Sequence, residues 1–195
     1  MANPFVFVGL GNPGQKYAET RHNAGFWFLD RLASQSEAVF RLQSKLHVET
    51  AKAVLQERDC ILVKPITFMN HSGQAVRAVL DYYKVPCDRL LIAYDELDLP
   101  PGVARLKQGG GHGGHNGLRD VFRHTEDHDF LRLRIGIGHP GAKNLVTPYV
   151  LSRPRREELT LINHSLSIAQ RVMGEVMSGK LVVAQTELHT VADGE

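Results

Sequence analysis

The run Phe5–Leu10 is almost entirely apolar, and a polar loop, Gly11–Arg21, follows it before helical spacing begins. A strand that is apolar at successive positions is buried on both faces, so other elements must cover it from two sides. The rest of the chain keeps to that plan. Phe26, Leu29 and Leu32 recur at helical spacing within Asn23–Ala33. His47–Leu55 and Cys60–Lys64 are strand-like runs joined by Glu57-Arg58-Asp59, a hairpin signal. Ser72–Lys84 carries Ala75, Val76, Val79, Leu80 and Tyr83 on one helical face, with Ser72 as its cap. Arg89–Tyr94 and Val103–Gln108 read as strands, and a helix starts at Asn116 or Gly117 and ends near His124. In Leu131–Gly138 apolar residues alternate with Arg132 and Arg134, which predicts a strand with one buried and one exposed face. Pro154 to about Met177 reads as one long helix. The expected fold is a single α/β domain over residues 1–195, a mixed β-sheet flanked by helices. The tail from about residue 185 is expected to fray.

A chain of 195 residues, 43% hydrophobic, can bury a core without staples. No window approaches the roughly 18 apolar residues of a membrane helix, and no basic segment precedes Phe5–Leu10. A cytoplasmic protein without a membrane partner is therefore expected. Cys60 and Cys87 make neither a disulfide framework nor a metal pair. The net charge of +2 does not announce nucleic-acid binding. Its distribution is more telling: Lys107, Arg119, Arg123, Arg132, Arg134, Lys143, Arg153, Arg155 and Arg156 lie close in sequence, mixed with Asp120, Glu126, Asp127 and Asp129. Such a stretch makes either a local phosphate-contacting face or an ordinary solvated surface.

Gly9-x-Gly11-x-x-Gly14 matches the dinucleotide fingerprint, but that fingerprint must open directly into a helix. Here Pro13-Gly14 prolongs a loop, and Asp30, the acidic residue at the right distance, lies inside a helical pattern. No nucleotide cofactor is expected. Polar residues instead gather at strand ends: Asn12, Tyr17 and His22, then Phe68-Met69-Asn70, then Asp95, then Gly113-Gly114-His115-Asn116. His22 is the candidate general base, because imidazole titrates near neutrality. Asp95, at the end of an apolar strand, is the candidate orienting carboxylate. Asn12, Asn70 and Asn116 offer neutral amides that can hold a peptide backbone or a developing oxyanion, although capping is the commoner duty of asparagine. The five glycines before His115 imply close approach of backbone to a ligand, or a moving lid. His112-x-x-His115 has metal-ligand spacing but no third ligand nearby, so no metal is expected. No Gly-x-Ser-x-Gly elbow exists and Cys60 lies mid-strand, so water, not a side chain, is the expected nucleophile, with no covalent intermediate.

Taken in series, these segments resemble the bacterial-type peptidyl-tRNA hydrolase family. The matching blocks are Gly-Leu-Gly-Asn-Pro-Gly at 9–14, Thr-Arg-His-Asn-Ala-Gly at 20–25, Pro-x-Thr-Phe-Met-Asn-x-Ser-Gly at 65–73, and Asp-Glu-Leu-Asp-Leu-Pro-Pro-Gly at 95–102. Gly-Gly-Gly-His-Gly-Gly-His-Asn-Gly-Leu at 109–118 and Arg-Leu-Arg-Ile-Gly-Ile-Gly-His-Pro-Gly at 132–141 complete the set. The resemblance implies a single catalytic α/β domain over 1–195 with a phosphorylase/hydrolase-like twisted mixed β-sheet flanked by helices, and hydrolysis of the ester between a peptide's C-terminal carbonyl and the 3′-terminal ribose of tRNA, with peptidyl-tRNA as substrate and tRNA recycled. It implies His22 as base and Asp95 as its orienter. Asn12 and Asn70 would sit near the peptide carbonyl and terminal nucleotide, and Asn116 would position water or peptide backbone. Tyr17 and Met69 would line the pocket with Gly113 and His115, Lys107 and Arg134 would hold tRNA phosphate, and the loop at 109–115 would belong to a gate. A metal-independent monomer with no obligate protein partner completes the expectation.

Overall fold

The computed structural model describes residues 3–190. Among them, seven strands form one sheet: β1 (Phe5–Gly9), β2 (Arg41–Gln43), β3 (Val48–Leu55), β4 (Arg58–Pro65), β5 (Leu90–Glu96), β6 (Ala104–Gln108) and β7 (Leu131–Gly136). Their order is β2-β3-β4-β1-β5-β7-β6. The four strands β4, β1, β5 and β7 are parallel, with β3 and β2 added antiparallel on one side and β6 on the other. The helices are α1 (Ala24–Gln35), α2 (Ser72–Tyr83), α3 (Asn116–His124), α4 (Val146–Val150), α5 (Arg156–Arg171), α6 (Met173–Met177) and α7 (Leu181–Thr190).

Side chains alternate across a strand, and β1 shows the consequence. Phe5 and Phe7 join Phe28, Leu29 and Leu32 of α1 and Ile162 and Leu166 of α5 in one core. Val6 and Val8 enter a second core with Val76 and Val79 of α2 and Leu118 and Val121 of α3. Each fully buried side chain of this size contributes about 1.5–3 kcal/mol. The chain leaves β1 through α1 towards β4, then returns through α2 to β5 on the other side of β1. That reversal leaves a crevice at the carboxyl ends of the central strands, where ligands bind in open α/β sheets.

The start of α1 packs directly on strand backbone. A Cβ on Gly25 would lie 2.4 Å from the Ala93 carbonyl oxygen, and one on Gly9 would lie 2.4 Å from the Gly25 carbonyl oxygen. The glycine fingerprint thus serves helix–sheet contact at Gly9, and Gly14 has φ +95° in an open turn.

Several elements depart from the sequence reading. Gln56 and Glu57 both have positive φ, so a two-residue turn closes the β3–β4 hairpin and β4 begins at Arg58. Ser72 does not cap α2. Its hydroxyl donates to the Met69 carbonyl, and Asp120 of α3 accepts from the Gly73 N–H instead. The long C-terminal helix breaks at Val172, where Gln56 Nε2 donates to the Arg171 carbonyl and ends α5. Arg132 is not on an exposed face of β7: it is 1% exposed, because helices cover both sides of the sheet. Residues 185–190 are helical rather than frayed, and Ala184 and Leu188 of α7 are buried. Gln185 Nε2 donates to the Leu106 carbonyl and His189 Nε2 accepts from the Leu106 N–H, so α7 covers the free edge of β6. The remainder of the expected frayed tail, 191–195, lies outside the described residues.

Candidate active site

His22 lies in a single 3₁₀ turn, Arg21–Asn23, just ahead of α1. Asp95 is the penultimate residue of β5 and is 3% exposed. His22 Nδ1 is 2.9 Å from both Asp95 carboxylate oxygens. An ionised carboxylate can only accept, so Nδ1 carries the proton and Nε2 keeps a lone pair. His115 Nε2 lies 2.8 Å from Asp95 Oδ1. His115 also caps α3, its Nδ1 accepting from the Leu118 N–H at 3.2 Å. Its Nε2 must therefore be the protonated nitrogen that donates to Asp95. One carboxylate holds two imidazoles, and their ring centroids are 5.1 Å apart.

Burial pulls the His22 pKa down, but the charge of Asp95 and its hydrogen bond outweigh burial and leave it above its ordinary value. Burial pushes Asp95 up, yet the facing charges and hydrogen bonds of His22 and His115 hold it well below the usual carboxylate range. His22, Asp95 and His115 also offer three donor atoms within 4.8 Å of one another, the one such group among the described residues. A metal ion there would have to displace the proton that each imidazole gives Asp95, and the Leu118 hydrogen bond with it. The donor set fits a hydrogen-bonded cluster better than a metal centre. His112 stands apart from the cluster, with Nδ1 accepting from the Gly114 N–H and its ring against Phe122.

A cavity of about 840 Å³ opens over this cluster. Asn12, Tyr17, Met69, Asn70, Gly113, His115 and Asn116 line it together with His22 and Asp95. They come from the carboxyl ends of β1, β4 and β5 and from the start of α3. Asn12 is locked in place: Asn23 accepts from its backbone N–H and donates to its carbonyl, and Asn12 Oδ1 accepts from the Met69 N–H at 2.8 Å. With its oxygen used, the Asn12 side chain has its NH₂ left to offer the cavity. Met69 Sδ would lie 2.4 Å from a Cβ on Gly117, so α3 packs directly on the loop that presents Asn70.

Lys107 and Arg134 do not line the cavity. They lie beside it, on one face of the β6–β7 edge. Arg105 pairs with Arg134 and Lys107 with Arg132 across the antiparallel ladder, so all four side chains share that face. Lys107 is exposed, whereas Arg134 Nε donates to Glu96 Oε2 at 2.9 Å.

Phe68, singled out in the sequence beside Met69 and Asn70, also lines the cavity, whereas Val146, Val150 and Leu151 carry no sequence signal. Phe68, 57% exposed, stands edge-on to Tyr17 with ring centroids 6.3 Å apart. Lys143, Val146, Val150 and Leu151 come from α4 and its approaches. Asn23 and Arg21 act one layer back. Arg21, 4% exposed, donates to the carbonyls of Tyr149, Ser152 and Arg153, to Ser152 Oγ and to Glu158 Oε2, and it stacks 4.0 Å from the Tyr149 ring. It clamps the α4–α5 connection to the His22 turn.

The sequence profile described as Peptidyl-tRNA hydrolase matches residues 6–194. The chain belongs to the peptidyl-tRNA hydrolase family. A peptidyl-tRNA hydrolase of Halorhodospira halophila is 48% identical over 184 residues, covering 94% of this chain and 95% of that one. A relative of the same name from Acidithiobacillus ferrooxidans is 49% identical over 186 residues, covering 95% and 98%. The crystal structure of the Acinetobacter baumannii peptidyl-tRNA hydrolase superposes with a TM-score of 0.92 at 43% identity, covering 97% of this chain and 96% of that one. The activity of the chain is accordingly peptidyl-tRNA hydrolysis, and peptidyl-tRNA is its substrate. Among the described residues, no helix is long and apolar enough to cross a membrane.

Proposed function

We propose that His22 is the general base of this hydrolase, drawing a proton from the water that attacks the ester carbonyl. The observation that carries the reading is the His22–Asp95 contact on the wall of the cavity. Asp95 fixes the tautomer, leaves the Nε2 lone pair for water and stabilises the imidazolium formed as the proton moves. His115 donates to Oδ1 of the same carboxylate and keeps it from rotating away. The NH₂ of Asn12 is the best-held donor for the carbonyl oxygen as it gains charge. Asn70 and Asn116, exposed at the rim, take peptide backbone or the terminal nucleotide, and Asn116 sits where water can also be positioned. Tyr17 and Met69 wall the ester end. Gly113 and the loop from 109 to 115 form its gate side. Lys107 and Arg134 take tRNA phosphate. An ester needs no side-chain nucleophile, so water attacks in one step with no covalent intermediate and no metal. The enzyme works as a cytoplasmic monomer without an obligate protein partner, returning tRNA from prematurely released peptidyl-tRNA.

The test separates binding from cleavage. His22→Ala is expected to bind tRNA like the parent and to cleave an N-blocked aminoacyl-tRNA about 10²–10⁴ times more slowly. A chelator should leave the parent's rate unchanged. Near-parental turnover in His22→Ala removes His22 from the chemistry, and loss of activity on chelation removes the metal-free reading.

A further inference from the structure

The glycine loop contains its own puzzle. Gly109, Gly110, Gly113 and Gly114 all have positive φ, and His112 alone brings a Cβ into the segment 109–114. Such a chain loses much backbone entropy when it holds one shape. Its second half closes on itself, with the His115 N–H donating to the His112 carbonyl and the Gly114 N–H to His112 Nδ1. Its first half is held from below by Arg132. The guanidinium donates to the Gly111 carbonyl at 2.6 Å, to Gly110 at 2.5 Å and to His128 at 3.3 Å, and it lies 5.0 Å from the Phe122 and Phe130 ring centroids.

Stability alone does not call for an arginine there. Arg132 is 1% exposed, and its buried Nε has no hydrogen-bond partner among the described residues. An apolar side chain of similar length would fill the space between the two rings without stranding an N–H. What an apolar chain cannot do is grip two successive carbonyls with one planar fork. The grip also reaches the phosphate face, because the Lys107 Nζ lies over Gly110, 2.6 Å from where a Cβ would stand. The same strand pairing sets Lys107 opposite Arg132.

We propose that Arg132 is a positioning residue for substrate capture. By holding the Gly110 and Gly111 carbonyls, it fixes the loop as one wall of the cavity and sets Lys107 in place above it. His22 and Asp95 stand on separate elements, the turn before α1 and the end of β5. His115, which follows the loop and touches Asp95, is held by Asp95 and the Leu118 N–H and not by Arg132, so the grip acts on binding rather than on the proton transfer. This deepens the reading that the cavity takes the ester end of peptidyl-tRNA.

The experiment compares Arg132→Met and Arg132→Lys with the parent. KM and kcat are measured on an N-acetyl-aminoacyl-tRNA, and amide hydrogen exchange is followed across the chain without substrate. In Arg132→Met, KM should rise at least fivefold with kcat within twofold, and exchange should speed up across 109–114 while the strands stay protected. Arg132→Lys, which reaches one carbonyl, should fall between Arg132→Met and the parent. A purely structural role would lower kcat through a smaller active fraction and leave KM unmoved. KM within twofold of the parent in both variants, or unchanged exchange at 109–114, overturns the proposal. If Arg132→Met does not fold, Arg132→Lys decides alone, with KM expected to rise at least twofold and exchange at 109–114 to quicken, and with the same overturning results. Failure of the parent to cleave the substrate would overturn the functional reading instead, and the exchange data would still judge Arg132.

Discussion

At the residue scale, the decisive feature is a carboxylate shared by two histidines. His22 and Asp95 were legible as partners because each is a titratable residue at the end of an apolar element. The second imidazole was not, since nothing in Gly-Gly-His-Asn shows that His115 reaches back to β5. The shared charge sets a pH dependence. A general base works when neutral, so kcat/KM should rise with pH through a midpoint above the ordinary 6.5 of histidine, given the raised His22 pKa. Asp95→Asn removes the charge that favours the imidazolium while burial, which lowers the pKa, remains. The midpoint should then move to lower pH, and the plateau should drop by about 10² or more because the tautomer is no longer fixed. A pH–rate profile whose midpoint and plateau both stay in place would break the dyad. Stability follows the same groups with opposite signs. The raised His22 pKa contributes below its unfolded value and fades as pH rises through the folded one. The depressed Asp95 pKa contributes above its unfolded value and fades as pH falls through the folded one.

At the element scale, the central strands were readable because their apolar runs are long and bounded by turn residues, and α1 and α2 because their apolar spacing is regular. The short pieces were not. β2 has only three residues, all exposed, and α4 only five, too few for any period to show. The break at Val172 depends on Gln56 from a distant hairpin, and the burial of Arg132 depends on rings of α3 and its following loop. Arg21 belongs with these long-range devices. It ties the His22 turn to the α4–α5 connection, and its partner Glu158 also accepts from the Arg155 N–H at the start of α5. Removing one member of a buried ion pair costs about 3–5 kcal/mol. For a chain of this size each kcal/mol moves Tm by about 2–4 °C. Arg21→Met should therefore lower Tm by about 6–20 °C, and the α4 side of the cavity should open, raising KM. Differential scanning calorimetry beside steady-state kinetics checks both, and an unchanged Tm would mean that the clamp carries no weight.

At the scale of the whole molecule, a net charge of +2 conceals a divided surface. Arg105, Lys107, Arg132 and Arg134 share one face beside the cavity, but they are not equivalent. Arg132 is buried under the glycine loop and Arg134 is paired with Glu96, whereas Lys107 is exposed. A phosphate that neutralises a lysine releases condensed counterions, so each such contact adds about 0.7–0.9 to the slope of log affinity against log salt. Lys107→Ala should flatten that slope by nearly one full contact. Arg134→Ala should flatten it less, because Glu96 already neutralises part of its charge and must give way when phosphate arrives. Glu96→Gln turns the comparison around: with its partner neutral, Arg134 should meet phosphate more strongly, and tRNA binding should tighten at low salt. These slopes are read from tRNA binding without turnover, so changes at the dyad do not enter. A slope unmoved by Lys107→Ala and Arg134→Ala alike would mean that tRNA is held elsewhere on the surface, and that this basic face serves only the fold.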